Sequence, residues 1–287
     1  MTEPSLAGLT VVVTGGSLGI GLACAEECAR RGARVVICAR GERDLAAAAE
    51  TLGAVPGAVV RAVRADVTQQ ADVERVLDAA AEIGGVHGVV HSAGIYGPIG
   101  PVTKVAPDEW FDAIRVNLFG TFVVARAAVG RMIGTGVRGS LVLMSGGGAA
   151  TPFPNYTAYA CAKTGVVRLT ETLALEVAGH GIRVNCVAPG FVLTRLHDQT
   201  IEAGEELAGT FLETTKQQMA KGGVPPAVAA KAAVFLLSEL AAGITGRFVA
   251  APYDGWERWP EHLDVIEGSD LFTLRRIVPK DRGMDWQ

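Results

Sequence analysis

Residues 9–14 read LTVVVT, a short apolar run, and pass directly into TGGSLGIG at residues 14–21 and then a helical pattern that continues to Arg31. Strand, glycine turn and helix in immediate succession leave few folds open, because a strand feeding a helix this way belongs to a parallel sheet. The turn also has a chemical meaning. Glycines let the backbone approach a pyrophosphate closely, and the helix that follows presents unpaired N–H groups and the positive end of its dipole to the anion.

The alternation continues along the chain. Strands are predicted at residues 34–39, 59–64, 86–91, 141–144, 182–187 and 248–251, with helical patterns between them, including one from Pro107 past Asn117 to Ile133. This predicts an α/β fold, a single doubly wound parallel sheet of about seven strands with helices on both faces. The length of 287 residues, the 49% hydrophobic content and the positive mean hydropathy allow one large core. No uninterrupted apolar run is long enough to span a bilayer, and residues 1–10 lack a basic start followed by an apolar stretch, so a cytoplasmic protein is expected with no membrane partner. A net charge of −4 without a basic stripe gives no reason to expect nucleic acid. The five cysteines fall within predicted elements and are expected to be buried and reduced, and their spacing suggests no metal site.

At the end of the second predicted strand, a carboxylate would hold a free ribose 2′-hydroxyl. Ala39 stands there instead, followed by Arg40, whose guanidinium suits a 2′-phosphate. NADP(H) is therefore the expected cofactor, with NAD(H) possible. Leu18 takes the place where a basic residue would have been a second phosphate ligand.

Further along, NYTAYACAKTGVVRL carries Tyr159 and Lys163 one helical turn apart. Residues at i and i+4 share a face. An ammonium about 4 Å from a phenolate, at an effective dielectric near 20, is worth roughly 4 kcal/mol and would lower a tyrosine pKa by up to ~3 units. Such a tyrosine exchanges protons near neutral pH.

Taken together, TGGSLGIG, the Asp66 strand exit, Ala93-Gly94, RVNLFG around Asn117, the Tyr159/Lys163 pair and PGFVLT at residues 189–194 resemble, in order and spacing, the short-chain dehydrogenase/reductase family over residues 5–251. The resemblance implies a Rossmann-like domain over residues 1–252, with a substrate lid at about 195–222 and a C-terminal extension at 253–287. It implies that Gly15, Ser17, Leu18, Gly19, Ile20 and Gly21 line the pyrophosphate and ribose, that Asp66 and Val67 meet the adenine, and that Ala93 and Gly94 pass behind the riboses. Pro189, Gly190, Val192 and Thr194 would hold the carboxamide. Tyr159 would be the general acid/base, Lys163 would bind the nicotinamide ribose, and Asn117 would anchor a proton-relay water. A homodimer or homotetramer built on the Asn117 and Tyr159 helices is implied as well.

Two departures stand out. His91 and Ser92 replace the asparagines usual before Ala-Gly, with His91 expected to be satisfied by backbone. The family's catalytic serine falls at Gly146, inside Ser145-Gly146-Gly147-Gly148. Ser145 is the nearest hydroxyl and the candidate replacement, reaching the site only if the strand bulges; the glycines would also expose backbone N–H donors. Trp256, Trp259 and Trp286 predict a docked tail, near the substrate entrance or across a subunit interface. The expected activity is the interconversion of a ketone and a secondary alcohol on a medium-sized metabolite. The alternatives are a cofactor-binding regulator without turnover and a non-redox lyase or cyclase.

Overall fold

A computed structural model describes residues 3–286. Seven strands form one sheet: β1 Thr10–Thr14, β2 Arg34–Ala39, β3 Val59–Arg64, β4 Gly88–His91, β5 Ser140–Met144, β6 Arg183–Ala188 and β7 Phe248–Ala250. All are parallel, in the order β3-β2-β1-β4-β5-β6-β7. The central strands β1, β4 and β5 are buried at every position, as runs covered on both faces must be, whereas edge strand β3 has no buried position.

Helices α1 Gly19–Arg30, α2 Glu42–Gly53 and α9 Pro226–Leu237 pack one face through Cys24, Cys28, Leu52 and Phe235. The other face carries α3 Gln70–Glu82, α5 Gly120–Thr135 and α6 Thr157–Glu176 through Leu77, Met132 and Val166. Chain order reverses between β1 and β4, so the crevice at the carboxyl ends of these two strands is where a doubly wound sheet binds its ligand.

The helix expected to run unbroken from Pro107 is interrupted. α4 Pro107–Ile114 passes into a π-turn, Arg115–Phe119, before α5. As a whole, Pro107–Thr135 is long and apolar enough to cross a membrane, but 56% of its most apolar window is buried in this fold. Two lid helices follow β6: α7 Arg195–Ala208, broken at Gly204, and α8 Phe211–Ala220.

The tail docks on its own chain at the β7 edge. A turn at Trp256–His262 leads into the short α10, Leu263–Glu267. Trp256 packs on Phe235 of α9 and Trp259 stacks on Phe272, with ring centroids 5.2 and 4.2 Å apart. Two such rings burying about 200 Å² each contribute roughly 10 kcal/mol gross at about 25 cal/mol/Å², before ordering entropy. Polar bonds fix the path. The buried Arg247 guanidinium donates to the carbonyls of Ile266, Ser269 and Leu271, the Phe248 amide donates to the Phe272 carbonyl, and Glu171 accepts from the Leu274 amide. Trp286 departs from expectation. It is 65% exposed because the chain has left the core by then. Cys161 departs too: it is exposed on α6, off the face that Ala158, Ala162 and Val166 bury, while the other four cysteines are buried.

Candidate active site

The glycine turn folds as its sequence requires. Gly15 and Gly19 have φ of +64° and +55°, and a Cβ at Gly21 would collide with the Gly15 carbonyl oxygen. α1 begins without a side-chain cap or an acidic residue in its first turn, so its N-terminal N–H groups stay open to an anion. Beside it lies a cleft of about 370 Å³, lined by Gly15, Ser17 and Leu18 from the turn, Arg40 from the end of β2, Asp66 and Val67 after β3, and Ala93 and Gly94 after β4. Eight residues far apart in sequence thus meet at the predicted crevice. Gly19 and Ile20 begin α1, and the loop with Pro189, Gly190 and Val192 closes on that helix: a Cβ at Gly19 would lie 3.3 Å from the Thr194 methyl.

Three features suit a dinucleotide. The turn would be filled by any larger side chain, the helix N-terminus is uncapped, and the Thr194 hydroxyl is buried without a hydrogen-bond partner. In this site Arg40 is exposed on the rim and forms no salt bridge among the described residues, while Arg195 and Asp44 bridge the mouth at 2.9 Å.

At the inner end, Tyr159, Lys163 and Asn117 come together. Asn117 sits on the π-turn, fully buried, and its side chain braces the backbone after Gly94: Nδ2 donates to Ile95 O (2.8 Å) and Ala113 O (3.0 Å), and Oδ1 accepts from Ile95 N (3.0 Å). A Cβ on Gly94 would lie 2.7 Å from Asn117 Oδ1 and 3.4 Å from Lys163 Nζ, so both converge on this glycine. Lys163 Nζ donates to the Met144 carbonyl at 2.9 Å and stands 5.7 Å from the Tyr159 ring centroid.

The electrostatics correct the expectation for Tyr159. Burial pushes its phenol up to about 12 rather than Lys163 drawing it down, and burial pushes the Lys163 ammonium down to about 8. The ammonium is spent on a backbone carbonyl instead of facing a phenolate. His91 is corrected as well. Its Nδ1 pairs with the Thr14 hydroxyl at 2.8 Å, not with backbone, and burial, with Lys163 adding to it, pushes the imidazole down to about 3, so the ring is neutral.

Ser145 does not take the serine's place. β5 enters the turn without a bulge that would swing it round, and the buried Ser145 hydroxyl donates to the Lys163 carbonyl at 3.0 Å, bracing α6. The position facing the phenol is Gly146, where a Cβ would come within 2.6 Å of Tyr159 Oη. Beyond it is a packed aromatic cluster that sequence reasoning missed. Tyr96 stands edge-on to Tyr159, Phe153 stacks on Tyr156, and Phe211 from the lid meets both of the latter. Tyr96 follows Ala93-Gly94 and Tyr156 precedes Tyr159 by three, which was the available signal; His197 and Thr200 carried none.

A family model described as enoyl-(acyl carrier protein) reductase matches residues 15–251. The chain belongs to the short-chain dehydrogenase/reductase family. It is 37% identical over 244 residues to 3beta-hydroxysteroid dehydrogenase 1 of Eggerthella lenta, covering 84% of this chain and 91% of that protein. Among solved structures, an NAD+-bound xylitol dehydrogenase superposes with a TM-score of 0.78 at 25% identity, covering 85% of this chain and 97% of that one. Actinorhodin polyketide ketoreductase with NADPH gives 0.74 at 29%, covering 84% and 94%. This family member is an NAD(P)-dependent oxidoreductase.

Proposed function

We propose that the protein interconverts a ketone and a secondary alcohol on a medium-sized metabolite, with NADP(H) preferred. The convergence of Lys163 and Asn117 on Gly94, with Tyr159 beside Lys163, at the end of a cleft rimmed by Arg40, carries this reading. It is supported by the relatives, whose printed names describe dehydrogenases and a ketoreductase.

The cofactor, when bound, supplies or accepts the hydride. This chain's own residues would then manage the proton and the charge. Tyr159, a neutral phenol at pH 7, is placed to give its proton to a carbonyl oxygen in the reducing direction and to take one back in the reverse. Lys163, still largely charged there, sits behind it and beside the ribose position at Gly94. The backbone amides of the Gly146–Gly148 turn, whose first glycine faces the phenol, would supply the second donor that Ser145 does not.

Oxidation of NADPH and of NADH against a broad carbonyl panel, with cofactor affinity measured in parallel, tests the reading. NADPH is expected to be preferred, and Arg40→Ala to remove most of that preference, a loss of roughly 1.5–3 kcal/mol for one charge-assisted contact. Equal affinity for both cofactors, unmoved by Arg40→Ala, would refute the preference; tight binding without turnover of any carbonyl would favour a regulatory role.

The outer face of α4 to α6 supports assembly with a second copy as a homodimer or homotetramer. Phe111, Phe119, Phe122 and Ile133 recur at helical spacing and are 39–62% exposed, and Leu175 of α6 is 82% exposed. Apolar side chains in such a row are costly in water. Light scattering of Phe119→Asp/Phe122→Asp should report a smaller assembly than the wild type; an unchanged mass places the interface elsewhere.

A further inference from the structure

We propose that Arg195 and Asp44 form a clasp over the dinucleotide cleft, an ion pair that must open before the bound cofactor can leave. It acts on the NAD(P) cofactor whatever the carbonyl substrate.

Arg195 is the first residue of α7 and Asp44 lies in the first turn of α2, 151 residues away, and their side chains meet at 2.9 Å. Both line the same cleft as Ser17, Leu18, Arg40 and Ala93, and among the described residues they are the only ion pair with both members on its wall. Helix chemistry explains half of this pair. Asp44 suits the first turn of α2, where a carboxylate meets the positive end of the dipole. Arg195 stands at the wrong end of its helix, because the same dipole repels a cation at an N-terminus. Its placement answers to the partner across the cleft, not to α7.

What holds α7 down differs along its length. His197 and Thr200 tie its middle to Tyr96 and Tyr156, at 3.2 and 3.0 Å, in the packed aromatic cluster. Beyond the break at Gly204, Glu206 bonds Lys104 at 2.7 Å. The first turn is held across the cleft by the Arg195–Asp44 pair. Arg195 directly follows Thr194, whose methyl lies against Gly19 at the start of α1 and whose buried hydroxyl lacks a partner. The clasp thus secures the stretch of chain beside the phosphate-binding turn. With the two side chains 71% and 35% exposed, the pair is worth a factor of a few in rate, about fivefold at most, and salt screens it.

Stopped-flow displacement of NADPH and of NADH, followed by nicotinamide fluorescence, reads the dissociation rate with no carbonyl substrate present. Arg195→Gln and Asp44→Asn should each raise that rate about three- to fivefold for both cofactors, and the double variant should rise no further than either alone. Glu206→Gln, which breaks the matching pair beyond Gly204, should leave it within about twofold. The sign for Asp44 decides most. On charge alone, removing a carboxylate from a phosphate-binding cleft tightens binding and slows release, whereas a clasp predicts faster release. Raising salt from about 0.05 to 0.5 M should also quicken release more in the wild type than in either variant. Slower or unchanged release in Asp44→Asn, or additive effects of the two substitutions, overturns the clasp; faster release in Arg195→Gln alone would make Arg195 a direct phosphate ligand instead. Either result leaves ketone reduction untouched, since no carbonyl enters the measurement.

Discussion

Tyr159→Phe should lower kcat by about 10³-fold or more while leaving cofactor affinity within about threefold of wild type. Positioned proton transfer is worth roughly 10²–10⁴ in rate, and the hydroxyls packed nearest the phenol are committed elsewhere, Tyr96 to His197 among them. Ser145 donates to Lys163 O, and Tyr156 donates to Thr200. The substitution is also structurally mild. The ring's edge-on packing with Tyr96 and Phe153 survives the loss of one oxygen. Cofactor binding by fluorescence titration separates a chemical defect from a binding one. Residual turnover above about a tenth of wild type would mean that the proton comes from elsewhere, and the assignment of Tyr159 as acid would fall.

What could be read from the chain was what local rules control. TGGSLGIG needs positive φ at Gly15 and Gly19 and close approach at Gly21, and those demands are visible as glycines. The seven strands announce themselves because parallel strands buried on both faces are continuous apolar runs. Cys161 was legible and was overlooked: Ala158, Ala162 and Val166 mark the inward face of α6, and position 161 lies off it. Other features depend on partners that no local pattern reveals. The π-turn at Asn117 leaves no composition mark. Tyr96 and His197 are 101 residues apart, and their pairing exists only once the lid helix has folded over the loop after β4. The acidity of Tyr159 turns on the same tertiary fact. Spacing placed Lys163 on the correct face, but whether the ammonium faces the phenol or a carbonyl is decided by where β5 ends. Burial then acts in the opposite direction from the expected charge pair.

Gly146→Ala should cost about 10–100-fold in kcat, against the usual expectation that filling a glycine beside a strand end is harmless. Gly146 is extended, with φ −174° and ψ 169°, so its backbone would accept any residue and the objection is purely one of space. A Cβ there comes within 2.6 Å of Tyr159 Oη and 3.4 Å of the ring atoms Cε1 and Cζ. The phenol must retreat, and it has little room: Tyr96 stands 4.9 Å away edge-on, Phe153 closes another side at 6.2 Å, and both are held by the lid cluster. Overpacking of this kind costs typically 1–3 kcal/mol, and a misplacement of about 1 Å at a reacting group can lower rate by ~10². Ser145→Ala, by contrast, removes one hydrogen bond to the Lys163 carbonyl, worth about 1 kcal/mol of stability, and should leave kcat within a few-fold. The comparison discriminates between two accounts of the missing serine. If Gly146→Ala impairs turnover more than Ser145→Ala, the glycine is a space reserved for the phenol, and the tyrosine has moved into the volume that a side chain would otherwise fill. If Gly146→Ser instead raises kcat, Tyr159 yields readily and a side-chain hydroxyl is the better second donor; the proposed backbone amides would then be an incomplete substitute.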